Sequence, residues 1–476
     1  MKDFPLEPDR AAMAEMGGFV LDRVMDFVES LPDRPTGNTV DPLATADLVT
    51  AFLAPPPEQA GDLKALLDRL DNAVDCAYET AGPGDMAYIP GGGLYSSAVA
   101  EFYTRGVNRY GGLAFGAPAM AALEESVLRW MAQSVCGLPE GSGGLLTTGG
   151  SMANFSAVVA ARHHHLGEDL ADGTVYVTAY THHSVAKAAR LAGIRARNIR
   201  TVACTAELRM DVEAAAAMVS ADRAAGLRPF LLVGSAGTTD TGTIDPLPDL
   251  ADLAERENLW FHVDAAYGGF FRLTERGRRR LEGIERADSV TLDPHKTLFL
   301  PFGTGALVVR EPAKLHAAHE GTGDYLQDIE STGGLPNYSH MGPELTREVR
   351  GLRVWLPLHL HGVTAFEEAL NEKLDLTERI HERLAAHPAL DVPWRPDLSV
   401  VAFRVRSDGE GPEAVNEADQ ATRRLLASIN SNPRVLLSST VVDGRQTIRT
   451  CVVTHRTHAD RVDELLDLIT TQAAQP

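Results

Sequence analysis

Cysteine is scarce in this chain: Cys76, Cys136, Cys204 and Cys451 stand far apart and form no CxxC pair. That distribution suggests neither a disulfide framework nor a thiolate zinc site, and no metal is expected; a reducing, cytoplasmic setting fits it. Long apolar runs are missing too. No stretch approaches the ~20 apolar residues of a spanning helix. The first ten residues, MKDFPLEPDR, carry charges and prolines where a secretory leader has an apolar run, so no membrane association is expected. Basic residues are outnumbered, 44 against 65 acidic ones, for a formal net charge of −21. Such an excess repels a phosphate backbone, and no nucleic-acid partner is expected. It does not identify a substrate. Internal repeats and low-complexity tracts are also absent.

What is present is the balance of a soluble globular protein: 476 residues, 44% hydrophobic and 23% charged, enough for a large α/β core with smaller pieces attached. Residues 11–30 read as an amphipathic helix with Met13, Met16, Phe19, Val20, Val24 and Phe27 on one stripe. Proline-broken connectors follow at 31–42 and 55–57, so segment 1–94 reads as helices without a core of their own, a candidate for docking on a partner subunit. From about residue 95 to 310 short apolar runs (144–147, 174–178, 229–233, 259–263, 289–292, 305–309) alternate with helical stretches such as 152–164 and 184–191. That alternation predicts a mostly parallel sheet covered on both faces, with ligands gathered beyond the C-terminal strand ends. The last part reads as a small α+β domain: strands at 399–405, 435–439 and 447–453, an Asp443-Gly444 hairpin signal and a closing helix at 459–471. The expected division is a helical segment 1–94, a large α/β domain 95–353 and a small C-terminal domain 354–476.

Three strand-end elements carry chemistry. Residues 147–154 read Thr-Thr-Gly-Gly-Ser-Met-Ala-Asn between an apolar run and a helix. Glycines there let backbone N–H groups approach an anion, the helix N-terminus adds partial positive charge, and Ser151 can donate a hydrogen bond. A phosphate is the natural guest; an ordinary N-cap and turn is the alternative. Asp264 ends a buried strand, where a carboxylate is costly to ionise unless something positive meets it, although an N-cap or a structural salt bridge would also account for it. Ala265 and Ala266 leave room for a flat object against the backbone. Lys296, in Asp293-Pro-His-Lys-Thr, follows the 289–292 strand. Desolvation there should lower its pKa and leave a neutral amine nucleophilic toward aldehydes, whereas a lysine taken alone is usually a solvated one. Phosphate cradle, buried carboxylate and desolvated lysine are together the anchors that pyridoxal 5′-phosphate (PLP) needs: one for the phosphate, one for the protonated pyridine nitrogen and one for the aldehyde.

The motifs TTGGSMAN, THHSVAKAA, GTTDTGTIDP, HVDAAYGGF, DPHKTLFLPFG and ELTREVRGLRVW resemble those of the group II PLP-dependent decarboxylases of aromatic-L-amino-acid decarboxylase type. The resemblance runs from roughly Ala87 to His361, and HVDAAY followed downstream by DPHK is its specific signature. It implies fold type I, with a mostly parallel seven-stranded-type sheet and a small C-terminal α+β domain, and a homodimer with its active site at the interface. It further implies that Lys296 forms the internal aldimine, that Asp264 pairs with the pyridine nitrogen, and that Gly150 and Ser151 bind the phosphate with His295 beside it. His182 would stack on the ring, Ala266 would pack on the opposite face, and Thr239 would lie near the ring hydroxyl. The family often has Asn where this chain has Asp293; a carboxylate beside a phosphate is repulsive, so that contact is not carried over.

In the implied reaction an L-amino acid displaces Lys296, its Cα–carboxylate bond is held perpendicular to the ring, and CO2 leaves. The quinonoid that remains is protonated at Cα by a loop tyrosine aided by the stacked histidine. Gly321-Thr-Gly-Asp-Tyr-Leu-Gln matches that loop and makes Tyr325 the candidate acid, with Tyr338 its rival; Gly321, Gly323, Gly333 and Gly334 suit a closing lid. Tyr88-Ile-Pro-Gly-Gly-Gly aligns with the family's substrate pocket, and Gly91 stands where a hydroxyl residue is typical. Tyr103 and Phe115 are candidates for aromatic walls or for plain core. No arginine in these segments is placed to meet a second carboxylate, so an aromatic or other uncharged L-amino acid is the expected substrate.

Other outcomes fit the same scaffold. Some members intercept the intermediate with O2 and yield an aldehyde, a branch often marked by phenylalanine at the loop tyrosine; Tyr325 favours simple decarboxylation. An aminotransferase or a carbon–sulfur lyase is a further alternative, and a non-catalytic PLP-binding sensor would leave Lys296 and Tyr325 without purpose. His163-His164-His165 cannot converge on one ion, because consecutive helical residues point about 100° apart. The basic run from Arg276 to Arg280 reads as an ordinary surface face.

Overall fold

A computed structural model describes residues 6–36, 42–321 and 334–473. Its centre is a seven-stranded sheet built from β1 (Gly143–Thr147), β2 (Gly173–Thr178), β3 (Ile199–Val202), β4 (Arg228–Ser235), β5 (Trp260–Asp264), β6 (Ser289–Leu292) and β7 (Gly305–Val309), in the order β1-β7-β6-β5-β4-β2-β3. Strand β7 runs antiparallel to both of its neighbours and the other pairings are parallel. Every residue of β1, β2, β5, β6 and β7 is buried, as expected of strands covered on both faces, and polar residues among them (Thr174, His262, Ser289, Thr291) are buried with the apolar ones. Helix Gly150–Leu166 packs against β4, β6 and β7, while helices Val212–Ala224 and Leu247–Arg256 pack against each other and β4. Strand β3 escaped the sequence reading. It lies at the sheet edge, only Val202 is buried, and its Ile-Arg-Thr-Val sequence carries too weak a pattern.

A second apolar cluster joins helices Val363–Ala385, Pro412–Asn430 and Ala459–Ala473 to an antiparallel sheet ordered β10-β11-β9-β8, where β8 is Leu390–Asp391, β9 Val400–Val405, β10 Ser438–Val442 and β11 Arg445–Cys451. Asp443 and Gly444 form the expected two-residue hairpin, both at positive φ (50° and 76°). The strand expected at 435–439 instead begins at Ser438. The apolar Val435–Leu437 stretch is buried for another reason: the Leu436 N–H donates to the Gly84 carbonyl, and the Met86 N–H donates to the Leu436 carbonyl.

The N-terminal helix Arg10–Ser30 forms as its periodicity requires and is capped by Asp9, whose carboxylate accepts from the Ala12 N–H. Arg23 ties it to Asp68 and Asp71 of helix Leu63–Asp75. Neither helix buries a single residue in the isolated chain. Among the described residues no helix is long and apolar enough to cross a membrane.

Candidate active site

Five loops leave the C-terminal ends of β1, β2, β4, β5 and β6 and enclose a cleft of roughly 290 Å³. Gly150, Ser151, His182, Thr239, Asp264, Ala266, His295 and Lys296 all line it, as does Asp293. Tyr88, Gly91, Tyr103 and Phe115 do not; Tyr325 lies outside the described residues.

Gly150 and Ser151 open helix Gly150–Leu166 with their N–H groups unused by the preceding turn. A Cβ on Gly150 would come within 2.9 Å of Asp293 Oδ2 and 3.2 Å of the Ala266 methyl, so only glycine leaves the cradle open. Asp264 ends β5 and is 8% exposed. One carboxylate oxygen accepts from the Ala266 N–H at 3.2 Å and the other from Asn154 Nδ2 at 2.9 Å. His182 caps helix His183–Leu191, its Nδ1 facing Ser184 Oγ at 2.7 Å, and burial lowers its pKa against the pull of Asp264. His295 Nδ1 donates to the Thr304 carbonyl at 2.6 Å, which turns Nε2 toward Asp293, 3.8 Å away.

Lys296 lies in the short helical turn Pro294–Thr297 that follows β6, and its Nζ is 2.9 Å from Asp293 Oδ2. Here the sequence expectation is corrected. Burial does push the amine pKa down, but the charge and hydrogen bond of Asp293, helped by the charge of Asp264, push it up by more, and the net value is above that of an ordinary lysine. The pair with Asp293 therefore favours the protonated form of the Lys296 amine. The second Asp293 oxygen is buried and has no hydrogen-bond partner.

Gly91 is explained by packing. A Cβ there would stand 1.9 Å from the His295 carbonyl oxygen and 3.2 Å from that of Leu300. We expect Gly91→Ala to force the Lys296 turn aside and lower stability by about 1–3 kcal/mol, the usual cost of overpacking, read as a fall in the thermal midpoint; an unchanged midpoint would mean the two backbones separate freely. Tyr88 (63%), Tyr103 (59%) and Phe115 (53%) are exposed in the single chain. Tyr338 is 1% exposed, its hydroxyl donates to Glu125 at 3.2 Å and Arg347 lies over its ring, so it cannot reach the cleft and is no rival to Tyr325.

Asn154, Ser184, Ser235, Gly237, Thr238 and Tyr267 also line the cleft without having been singled out. Asn154 and Tyr267 stand inside the TTGGSMAN and HVDAAYGGF motifs, but only the fold reveals what each one touches.

An anion cradle at a helix N-terminus, a buried carboxylate and a lysine lining one cleft fit PLP, and glycine at 150 keeps that helix start free of a Cβ that would press on Asp293 and Ala266. Fold and site together define a PLP-dependent enzyme of fold type I. The family model described as the pyridoxal-dependent decarboxylase conserved domain matches residues 53–406. An aromatic-L-amino-acid decarboxylase from Bacillus atrophaeus is 31% identical over 95% of this chain and 94% of its own length. An L-2,4-diaminobutyrate decarboxylase from Rhizobium meliloti (strain 1021) is 32% identical over 88% of this chain and 83% of its own. The crystal structure of Oryza sativa TDC with PLP and tryptamine superposes with a TM-score of 0.92 at 26% identity, covering 100% of this chain and 99% of that one. The chain belongs to the pyridoxal-dependent decarboxylase family: it is a carboxy-lyase that uses PLP to decarboxylate an amino acid.

Proposed function

We propose that this enzyme removes the carboxylate of an L-amino acid with an aromatic or other uncharged side chain, and that the cleft residues divide the work. PLP, when bound, supplies a ring able to accept the electron pair left by the departing CO2. Lys296 would be the residue that holds its aldehyde carbon. Asp264 keeps the pyridine nitrogen protonated, and Gly150 and Ser151 grip the phosphate with His295 beside them. His182 and Ala266 would pack on the ring, Thr239 would lie near its hydroxyl, and Tyr325 would be the proton donor to Cα with His182 in support.

The observation that carries this reading is the meeting of Lys296, Asp264 and the open Gly150 cradle on one cleft. The substrate class is supported by the lining, which among the described residues contains no arginine to meet a second carboxylate. It is also supported by the aromatic substrate named for the Bacillus relative. The test is to incubate the PLP-loaded protein with each common L-amino acid and identify products by mass while recording oxygen. An amine and CO2 from an aromatic substrate without oxygen uptake is expected. An aldehyde with peroxide, or turnover confined to charged amino acids, would overturn the proposal.

The working unit is a homodimer with the site at its interface, located in the cytoplasm. Segment 1–94 is its dimerisation piece, 95–353 the cofactor domain and 354–476 the small domain. Support comes from apolar exposure: Met16, Val20, Val24, Leu66, Leu70 and Val74 are each 39–49% exposed on the ion-paired helices Arg10–Ser30 and Leu63–Asp75, neither of which buries a residue in the single chain. Tyr103 and Phe115, elsewhere in the chain, are exposed as well. A second copy covers this face most simply. Sedimentation should report a dimer, and the double variant Leu70→Asp/Val74→Asp should shift it to monomer with loss of most turnover. A fully active native monomer would end this part of the reading.

A further inference from the structure

A chain of buried hydrogen bonds runs behind the cleft, and donor and acceptor arithmetic gives it a direction. Trp260 Nε1 donates to Ser289 Oγ at 2.8 Å. Ser289 Oγ meets His262 Nδ1 at 2.8 Å, and His262 Nε2 meets Asn154 Oδ1 at 3.0 Å. An amide oxygen only accepts, so the His262 proton is on Nε2 and its Nδ1 accepts from Ser289. Burial keeps this imidazole neutral by lowering its pKa to about 4. Thr291 Oγ1 donates to the same Asn154 oxygen at 2.7 Å. The amide is thereby locked with its nitrogen toward the cleft, because the flipped orientation would set its oxygen against the Asp264 carboxylate.

The two Asn154 amide hydrogens are then both committed. One goes to Asp264 Oδ2 and the other to Ser184 Oγ, each at 2.9 Å. Ser184, having accepted there, directs its own hydroxyl proton to His182 Nδ1 at 2.7 Å, and the Ser184 backbone N–H points at that same nitrogen from 3.4 Å. Nδ1 is an acceptor, so the proton of neutral His182 is on Nε2.

We propose that Asn154 is the positioning residue that sets two sides of the cofactor site at once: it donates to and orients the Asp264 carboxyl group that faces the ring nitrogen and, through Ser184, holds the ring-stacking His182 as the Nε2–H tautomer. Neither effect requires Asn154 to touch substrate. The assignment rests on the reading of Asp264 as the partner of the pyridine nitrogen.

Asn154→Asp tests it with no change of size. A carboxylate at 154 would receive the Thr291 and His262 protons but would offer Asp264 no donor, and two facing carboxyl groups would weaken the hold of Asp264 on a protonated ring nitrogen. Holoenzyme loaded with PLP labelled with 15N at the ring nitrogen should show, by solid-state NMR, a pyridinium signal in the native protein and a neutral-pyridine signal in N154D. The PLP dissociation constant should rise at least about tenfold. A pyridinium signal and unchanged affinity in folded N154D would overturn the proposal. Asp264→Asn is the control: if it too leaves the pyridinium in place, the reading of Asp264 itself has failed. Ser184→Ala, which removes one hydroxyl, examines the other arm even should N154D not fold. It should leave the nitrogen signal unmoved and lower kcat about tenfold with KM little changed. An unaltered kcat would break the link to His182.

Discussion

Lys296→Ala is expected to abolish the absorbance near ~420 nm of cofactor bonded to the protein, leave nothing for borohydride to fix, and cut decarboxylation on the order of 10³-fold or more. Among the described residues the amine is the only lysine nitrogen lining the cleft, and it stands 2.9 Å from Asp293. Because its pKa is raised in the folded protein, the cofactor-free enzyme must release a proton before the nitrogen can attack the aldehyde. Capture of PLP should therefore quicken as pH rises toward the lysine range, the fraction of free amine growing with each step. The same sign governs the ion pair: its contribution to stability is complete below the ordinary lysine pKa and is lost as pH climbs through the raised one. A peptide map that finds borohydride-fixed cofactor elsewhere in the native protein would refute the assignment.

Asp264→Asn should be nearly as damaging while preserving shape. The carboxamide can still accept from Asn154, but it removes the negative charge that makes a protonated pyridine nitrogen favourable. Loss of one preorganised charge in a closed site costs on the order of 10²–10³ in kcat, or about 3–4 kcal/mol. Turnover should fall by that factor, with weaker cofactor retention in equilibrium dialysis. Activity within about threefold of native would show that the ring needs no charged partner there.

Much of this architecture was legible before any coordinates. Short runs rich in aliphatic, β-branched and aromatic residues mark six of the seven strands of the large sheet. The edge strand Ile199–Val202 did not, since an edge is half in water and its residues need not be apolar. The small-domain strand was placed a few residues early because Val435–Leu437 is buried by pairing with Gly84–Met86, some 350 residues earlier, and local pattern is blind to so distant a partner. At the site, Lys296, Asp264 and Gly150 were recognisable from chemistry and motif. The protonation of Lys296 was misjudged: burial is a property that a strand end reveals, whereas the position of the Asp293 carboxyl relative to the amine is not.

By itself the order of residues determined the alternation of strand and helix, the absence of a spanning helix among the described residues, and which side chains could anchor PLP, because these depend on periodicity and on groups a few positions apart. Only the tertiary structure decided that Gly91 must lack a side chain, that Tyr338 is walled in, that its surroundings favour a proton on Lys296, and that Asn154 joins Asp264 to His182. The Lys296 contact is with Asp293, three positions away, but it needs the turn after β6 to aim both side chains into the cleft; the others rest on distances of a few ångströms between residues mostly tens to hundreds of positions apart, which exist only once the chain has folded.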